Sequence, residues 1–472
     1  MRPQSNRVNF AEHTVFVGLV GTLMIVPLPF GADRPWAWSL LAVLVGALIF
    51  LWGIIVSVSR THQTASLRPI FPALMMFTLV LIWVGIQSWE GTPTAWHNDL
   101  WRVAGEALGA NLATTISVDA EHTRTGLMRL LTYGGVFLLS FQLCGTPARA
   151  ERMVRLVLAA TLIYAIYGII VELAGIDRVL WYPKKGVGDY HVLSSTFLSR
   201  NNYASYGGLG LICALTILFK PAMRKGDMEV SWRFATQAVI EYLFARTWIM
   251  IVAASILFAS ILMTQSRAGV AVVVLGVSTF LGLIAMTRKR RRFIFAGGAA
   301  ILVFASAIFG IGGGGTIDRM SILPGAASER YTVYERTIEG IKDAPYVGTG
   351  SGSFAQVFPM YRSEDSAPFK RAHNTYLENA LELGVPATAI LMLALLWILV
   401  ICFAALRHYG RRANIPCMGL AITALVAAHS LVDYTMTVPA IAATYAALLG
   451  VACSQALHLA RPPAITEERR NF

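Results

Sequence analysis

Two arginines and a histidine, each set among small polar residues between long apolar runs, are the groups in this sequence best suited to chemistry. Arg200 sits in Ser199-Arg200-Asn201-Asn202-Tyr203, and Arg267 in Gln265-Ser266-Arg267-Ala268-Gly269. Guanidinium forks hold phosphate oxygens bidentately, so the pair suits a phosphate-rich lipid headgroup. Arg200 also opens a helix, whose dipole and N–H groups favour an anion. A plainer reading has both side chains reaching out of the membrane to water.

The histidine lies in Arg371-Ala372-His373-Asn374-Thr375-Tyr376-Leu377-Glu378. Thr375 and Glu378 have capping-box spacing, which predicts a helix from here to Gly384, just before Pro386. His373 then stands immediately ahead of a helix N-terminus. The positive end of that dipole, with Arg371 beside it, disfavours imidazolium and leaves a neutral ring that accepts a proton near neutral pH. The alternative is a histidine that only hydrogen-bonds its loop. Arg330 and Arg336, in Glu329-Arg330-Tyr331-Thr332-Val333-Tyr334-Glu335-Arg336, either line the same cavity or form a solvated helix face. His429 and Asp433 share a helical face, as a functional pair inside the membrane or as an interhelix hydrogen bond. No outward segment carries paired His or Cys at ligand spacing, and the closest acidic group is the adjacent Glu364 and Asp365. No metal or other cofactor is expected, and leaving-group charge falls to the arginines.

The elements that must position these residues are membrane helices. Of 472 residues, 56% are hydrophobic and only 14% charged, far from the usage of a soluble domain. Apolar runs of roughly 20 residues recur from end to end, predicting an all-α, polytopic protein of about twelve spans. They fall at residues 14–30, 36–58, 70–89, 127–144, 154–175, 198–219, 247–265, 268–287, 293–311, 385–406, 415–433 and 438–458. The net charge of +13 does not point to nucleic acid, because the basic residues alternate with the spans. Arg60 and Arg68, Arg149 to Arg155, Lys220 to Lys225, Arg288 to Arg292 and Arg407 to Arg412 occupy every second loop, the positive-inside pattern, which places both termini in the cytoplasm.

Outward-facing segments then fall at 31–35, 90–124, 176–195, 265–267, 312–384 and 433–437, so Arg200 and Arg267 sit where the charge rule disfavours them. Residues 1–472 read as one integral-membrane domain. Its long outward loop, 312–384, lies between the ninth and tenth spans, opens on Gly312 to Gly315 and carries short helices with part of the site. Residues 90–124, with Trp96, Trp101 and Leu108 among charges, suit a helix in the headgroup layer. The five cysteines, Cys144, Cys213, Cys402, Cys417 and Cys453, lie in or beside apolar runs as small hydrophobes, without a disulfide framework. The first run, Val15 to Pro29, reads as a retained helix. No internal repeat, dinucleotide fingerprint or P-loop is found.

Taken in order, four stretches resemble the bacterial O-antigen ligase and polysaccharide polymerase superfamily. They are Ser199-Arg200-Asn201-Asn202-Tyr203-Ala204, Ser266-Arg267-Ala268-Gly269, Gly348-Thr349-Gly350-Ser351-Gly352-Ser353-Phe354 and His373-Asn374-Thr375-Tyr376-Leu377-Glu378 with Gly384. The similar region runs from about Phe197 to Leu449, and the Pro27 to Trp36 segment agrees as well. The resemblance implies a GT-C type fold and a metal-independent, inverting glycosyltransferase. Its donor would be a glycan on undecaprenyl pyrophosphate, used at the periplasmic face of the inner membrane. By position, Arg200 and Arg267 would clamp the pyrophosphate and His373 would orient or deprotonate the acceptor hydroxyl. Asn374 and Tyr376 would hold sugar hydroxyls, and Asn201, Arg330, Arg336 and Arg371 complete the expected substrate-binding set.

Ligation of O-antigen to lipid A-core is the favoured expectation, with polymerisation of a lipid-linked surface polysaccharide next. A secondary transporter is the rival of another class, suggested by twelve spans with a basic stretch, Lys220 to Arg246, after the sixth. Against it stand the lack of a repeat of halves and the large outward loop containing His373.

Overall fold

The computed structural model describes residues 2–58, 65–176, 178–183, 192–220, 248–287, 325–362 and 369–461. An α-helix occupies each expected span that falls on them: α1 (Arg2–Ile25), α2 (Pro35–Val58), α3 (Phe71–Gln87), then α4 (Leu100–Leu108) in the expected headgroup segment, α5 (Ala120–Leu143) and α6 (Pro147–Leu173). A two-stranded ribbon, Arg178–Val179 against Tyr182–Pro183, leads to α7 (Arg200–Leu218), α8 (Trp248–Met263) and α9 (Arg267–Met286). Then come α10 (Gly325–Asp343), α11 (Phe354–Val357), α12 (Thr375–Leu383), α13 (Val385–Tyr409), α14 (Asn414–Ser430) and α15 (Pro439–Leu459).

Among the described residues, 7 helices are long and apolar enough to cross a membrane, and the apolar α8, α14 and Phe10–Ile25 are shorter. Helix α7 is in neither group, because its first two turns carry Asn201, Asn202, Tyr203, Ser205 and Tyr206. The expected ninth span at 293–311 lies outside the described residues, as do Arg60, Lys225 to Arg246, Arg288 to Arg292, Gly312 to Gly315, and Glu364 with Asp365.

Helix α15 is the centre of the bundle, buried from Pro439 to Ala456. Its run of alanine and glycine lets neighbouring backbones come close, the usual basis of helix association in lipid. At Gly450 a Cβ would stand 2.5 Å from the Phe137 carbonyl of α5. Helix α5 lies along α15, α9 along α14, α8 and α6 against α7, and α13 against α3. Helices α10 and α12 pack on one another at one end of the bundle, where α12 continues into α13.

Two boundaries differ from the sequence expectation, both at the site. Helix α14 ends at Ser430 rather than near 433, so His429 and Asp433 do not share a helical face. Asp433 lies in the following turn, where its N–H donates to the His429 carbonyl (2.8 Å) and its Oδ1 accepts the Tyr434 N–H (2.8 Å). Such local side-chain bonding offers the backbone an alternative to helix. In α12 the cap is Asn374, not Thr375: its Oδ1 accepts the N–H groups of Tyr376 (3.0 Å) and Leu377 (3.1 Å). The Glu378 carboxylate reaches past the cap to the Ala372 N–H at 2.9 Å.

Candidate active site

Serine caps set the two arginines. Ser199 Oγ accepts the Asn201 N–H (3.3 Å) and Ser266 Oγ accepts the Gly269 N–H (2.9 Å), so Arg200 and Arg267 are each the first residue of their helix. Both therefore stand at the positive end of a helix dipole. Arg267 is exposed and Arg200 half-buried. The caps are also joined, because the Ser266 hydroxyl donates to Asn201 Oδ1 at 2.6 Å. Asn201 Nδ2 in turn donates to Asp433 Oδ2 at 2.5 Å, and Asp433 Oδ1 lies 3.3 Å from His373 Nδ1. One hydrogen-bonded chain thus runs from the start of α9, through the start of α7 and the turn after α14, to the histidine before α12.

A carboxylate only accepts hydrogen bonds, so His373 Nδ1 carries a proton, and in the neutral ring Nε2 is then the acceptor. The ring is held edge-on by Tyr434 (centroids 5.0 Å) and Phe369 (5.8 Å), and its side chain keeps 22% exposure, enough to meet a substrate. Tyr334 of α10 donates to the His373 carbonyl at 3.0 Å. The backbone is in the left-handed region, φ 52°, which a non-glycine residue adopts at a cost and which recurs at functional sites. The electrostatics are not those expected from the dipole and Arg371 alone, since a buried carboxylate sits at hydrogen-bond distance. Burial pushes the Asp433 carboxyl up, but the hydrogen bond from His373, the charge that the His373 and His429 rings carry when protonated, and the Tyr434 N–H outweigh it. The group is held below its ordinary range and is ionised at neutral pH.

Arg371 points its charge elsewhere. It pairs with the buried Glu378 at 3.0 Å, and Asp33, from the segment after α1, also acts on it electrostatically. One helical turn on, Glu382 accepts the N–H groups of Gly352 (2.7 Å) and Phe354 (3.1 Å). Burial first, and then the Glu378 carboxylate, push its carboxyl up to about 8 against the pull of those donors and Arg371. The glycine motif is therefore a support: Gly348, Gly350 and Gly352 have φ of 68°, 99° and 82°, and a Cβ at Gly348 would stand 2.4 Å from the Glu382 carbonyl.

The remaining expected residues divide. Arg330 donates to the Val432 carbonyl at 3.2 Å, which puts it against the turn holding Asp433. Arg336, on the exposed side of α10, pairs with Glu339 at 2.9 Å. Asn374 spends its side-chain oxygen on the α12 cap, and the Tyr376 hydroxyl donates to the Ala427 carbonyl of α14 at 3.0 Å. Both position His373 through α12. His429 bonds Ser205 of α7, apart from the chain that reaches His373. Tyr334, Tyr434 and Asp33 stand in no motif that the sequence displays. Their one signal is nearness in the chain to Arg330, Asp433 and the Pro27 to Trp36 segment.

A family model described as O-antigen ligase matches residues 252–392, a stretch that takes in Arg267, the glycine motif and His373 but neither Asn201 nor Asp433. No curated protein matches the chain. The matched stretch carries Ser266, Arg267 and His373, and its likeness to O-antigen ligases supports the O-antigen ligase and polymerase superfamily, whose members are membrane glycosyltransferase-like ligases or polymerases.

Proposed function

We propose that the protein transfers a glycan from undecaprenyl pyrophosphate to lipid A-core at the periplasmic face of the inner membrane, with inversion and without a metal. The observation that carries this reading is the chain Ser266–Asn201–Asp433–His373, which couples two arginine-bearing helix ends to one imidazole. His373 Nε2 takes the proton of the acceptor hydroxyl as its oxygen bonds to the anomeric carbon. The bond from that carbon to the pyrophosphate breaks on the opposite face, which inverts the centre. Arg200 and Arg267 meet the charge that develops on the departing diphosphate, and Asp433 stabilises the imidazolium that forms.

Charge distribution supports the orientation. Helix α7 begins at Arg200 in the site, and beyond its far end Lys220 pairs with Glu151, which also bonds Arg155. These two basic segments thus lie at the end away from His373, which fits a cytoplasmic face there. Both termini would then be cytoplasmic.

The deciding experiment incubates purified protein with lipid-linked glycan, with and without lipid A-core. Product only with lipid A-core, accompanied by undecaprenyl pyrophosphate and insensitive to chelator, is expected. Lengthened lipid-linked chains without lipid A-core would make the protein a polymerase. Substrate counterflow in liposomes with no transfer would make it a transporter.

A further inference from the structure

A cavity of about 820 Å³ lies beyond the other end of α12 from His373, between residues 83–116 and the loop joining α10 to α11. That size is within the range of small-molecule sites. Its walls are aromatic: Trp83 and Trp96 form a corner with ring centroids 6.5 Å apart, and Tyr346 and Tyr361 stand among the other lining residues. Tyr346 is 76% exposed and Trp96 46%, so both rings offer open faces. Trp83 is fixed by its Nε1–H, which donates to the Leu383 carbonyl at 2.9 Å, and Tyr361 by its hydroxyl on Asp343 at 2.7 Å.

The charged lining groups are the carboxylates Asp99, both of whose oxygens accept from Arg102 at 2.9 Å, and Asp343; His97 also lines the cavity, and among the described residues the lining holds no lysine or arginine. The described lining offers phosphate no permanent cation, in contrast to the arginine-bearing site. Flat aromatic faces beside the Asp343 carboxylate and the Asn98 amide fit a ligand that has apolar C–H faces and many hydroxyl donors, which is a sugar.

We propose that this cavity is a saccharide subsite, holding sugar residues of the glycan several units away from the reacting carbon. The proposal rests on the glycosyl-transfer reading above. Helix α12 has 9 residues. At 1.5 Å per residue it places the cavity roughly 13 Å from His373, a span that a short oligosaccharide bridges. Gly348 and Thr349 line the cavity while Thr349 and Gly350 bond the end of α12, so the two sites share a rigid wall.

The test is calorimetric titration of the full-length protein in detergent with two probes, the oligosaccharide freed from the lipid-linked donor and the deacylated lipid A-core oligosaccharide. Binding of either probe, weakened by about tenfold or more in Trp96→Ala and Tyr346→Ala, is expected from removal of one contact ring. Retention in Tyr346→Trp and in Tyr331→Ala, an exposed tyrosine of α10 outside the cavity, is expected as well. Which probe responds identifies the donor or the acceptor as the source of the sugar. In transfer assays the same variants should raise KM for that substrate with kcat unchanged. Affinity equal to wild type in both alanine variants, or no binding of either probe by a protein that still transfers glycan, overturns the subsite and leaves the functional reading standing. Binding that depends on Trp96 and Tyr346 in a protein that transfers nothing does the reverse.

Discussion

Asp433 and His373 meet across 60 residues of chain, with Oδ1 and Nδ1 3.3 Å apart, while the second Asp433 oxygen is held by Asn201 at 2.5 Å. Both carboxylate oxygens are therefore committed before any substrate arrives, and the histidine tautomer with them. In the proposed transfer this preorganises His373 as the base, because the ring does not need to choose its orientation during the reaction.

Asp433→Asn removes the charge while keeping the shape. The amide can present its NH₂ to Nδ1 and so impose the wrong tautomer, and it no longer stabilises imidazolium. Turnover is expected to fall by about 10²-fold or more, the usual worth of a positioned general base, with KM for the donor little changed. Steady-state kinetics on the purified variant checks this, and wild-type kcat would remove Asp433 from the mechanism.

Asn201 has a different duty, since it touches no reacting atom in this reading but bridges Ser266 to Asp433. Asn201→Ala leaves a buried carboxylate with one partner fewer, at a cost of about 1–3 kcal/mol. Asn201→Asp is expected to be worse at neutral pH, because it sets a second carboxylate against Asp433, and to recover part of its activity as pH falls and the pair shares a proton. Activity across pH, compared between the two variants, separates charge repulsion from simple loss of a bridge.

These pairings explain why the spans and the arginines are legible in the sequence and their connections are not. A run such as Pro35–Val58 declares itself by length and hydropathy, and Arg200 and Arg267 stand out because a cation at that end of a helix violates the charge rule. His373 stands out by its place before a capped helix. The Asn201–Asp433 contact joins residues 232 apart in the chain, and no local periodicity carries such information. Asp433 is visible as an ionisable residue, yet its partner depends on α14 stopping at Ser430, a boundary that hydropathy places three residues late. The glycine motif is visible as a motif, but that it braces α12 through Glu382 emerges only once both are folded.

Arg267 separates charge from geometry. It is exposed at the first position of α9, so its loss should leave folding and membrane insertion intact. Arg267→Ala is expected to lower turnover by about 10²–10³-fold, the range found when one donor to a developing anion is removed. Arg267→Lys keeps the charge but loses the fork, and should lie between the two. Single-turnover release of undecaprenyl pyrophosphate measures both, and equal rates for the alanine variant and wild type would exclude this residue from the leaving-group site.

Glu382 predicts how stability depends on pH. Its carboxyl is raised from the ordinary 4.5 to about 8, so between those values the folded protein holds a proton that the unfolded chain has released. Stability attributable to this group is fully present below about 4.5, declines as pH rises, and is gone once pH passes the folded value near 8. Glu382→Gln has no proton to lose, and should flatten the melting temperature across that window while lowering it overall, because one amide oxygen replaces two acceptors for Gly352 and Phe354. Thermal unfolding of both proteins at several pH values is the measurement. If the slope survives the substitution, another group titrates there and the Gly352 loop owes nothing to a protonated Glu382.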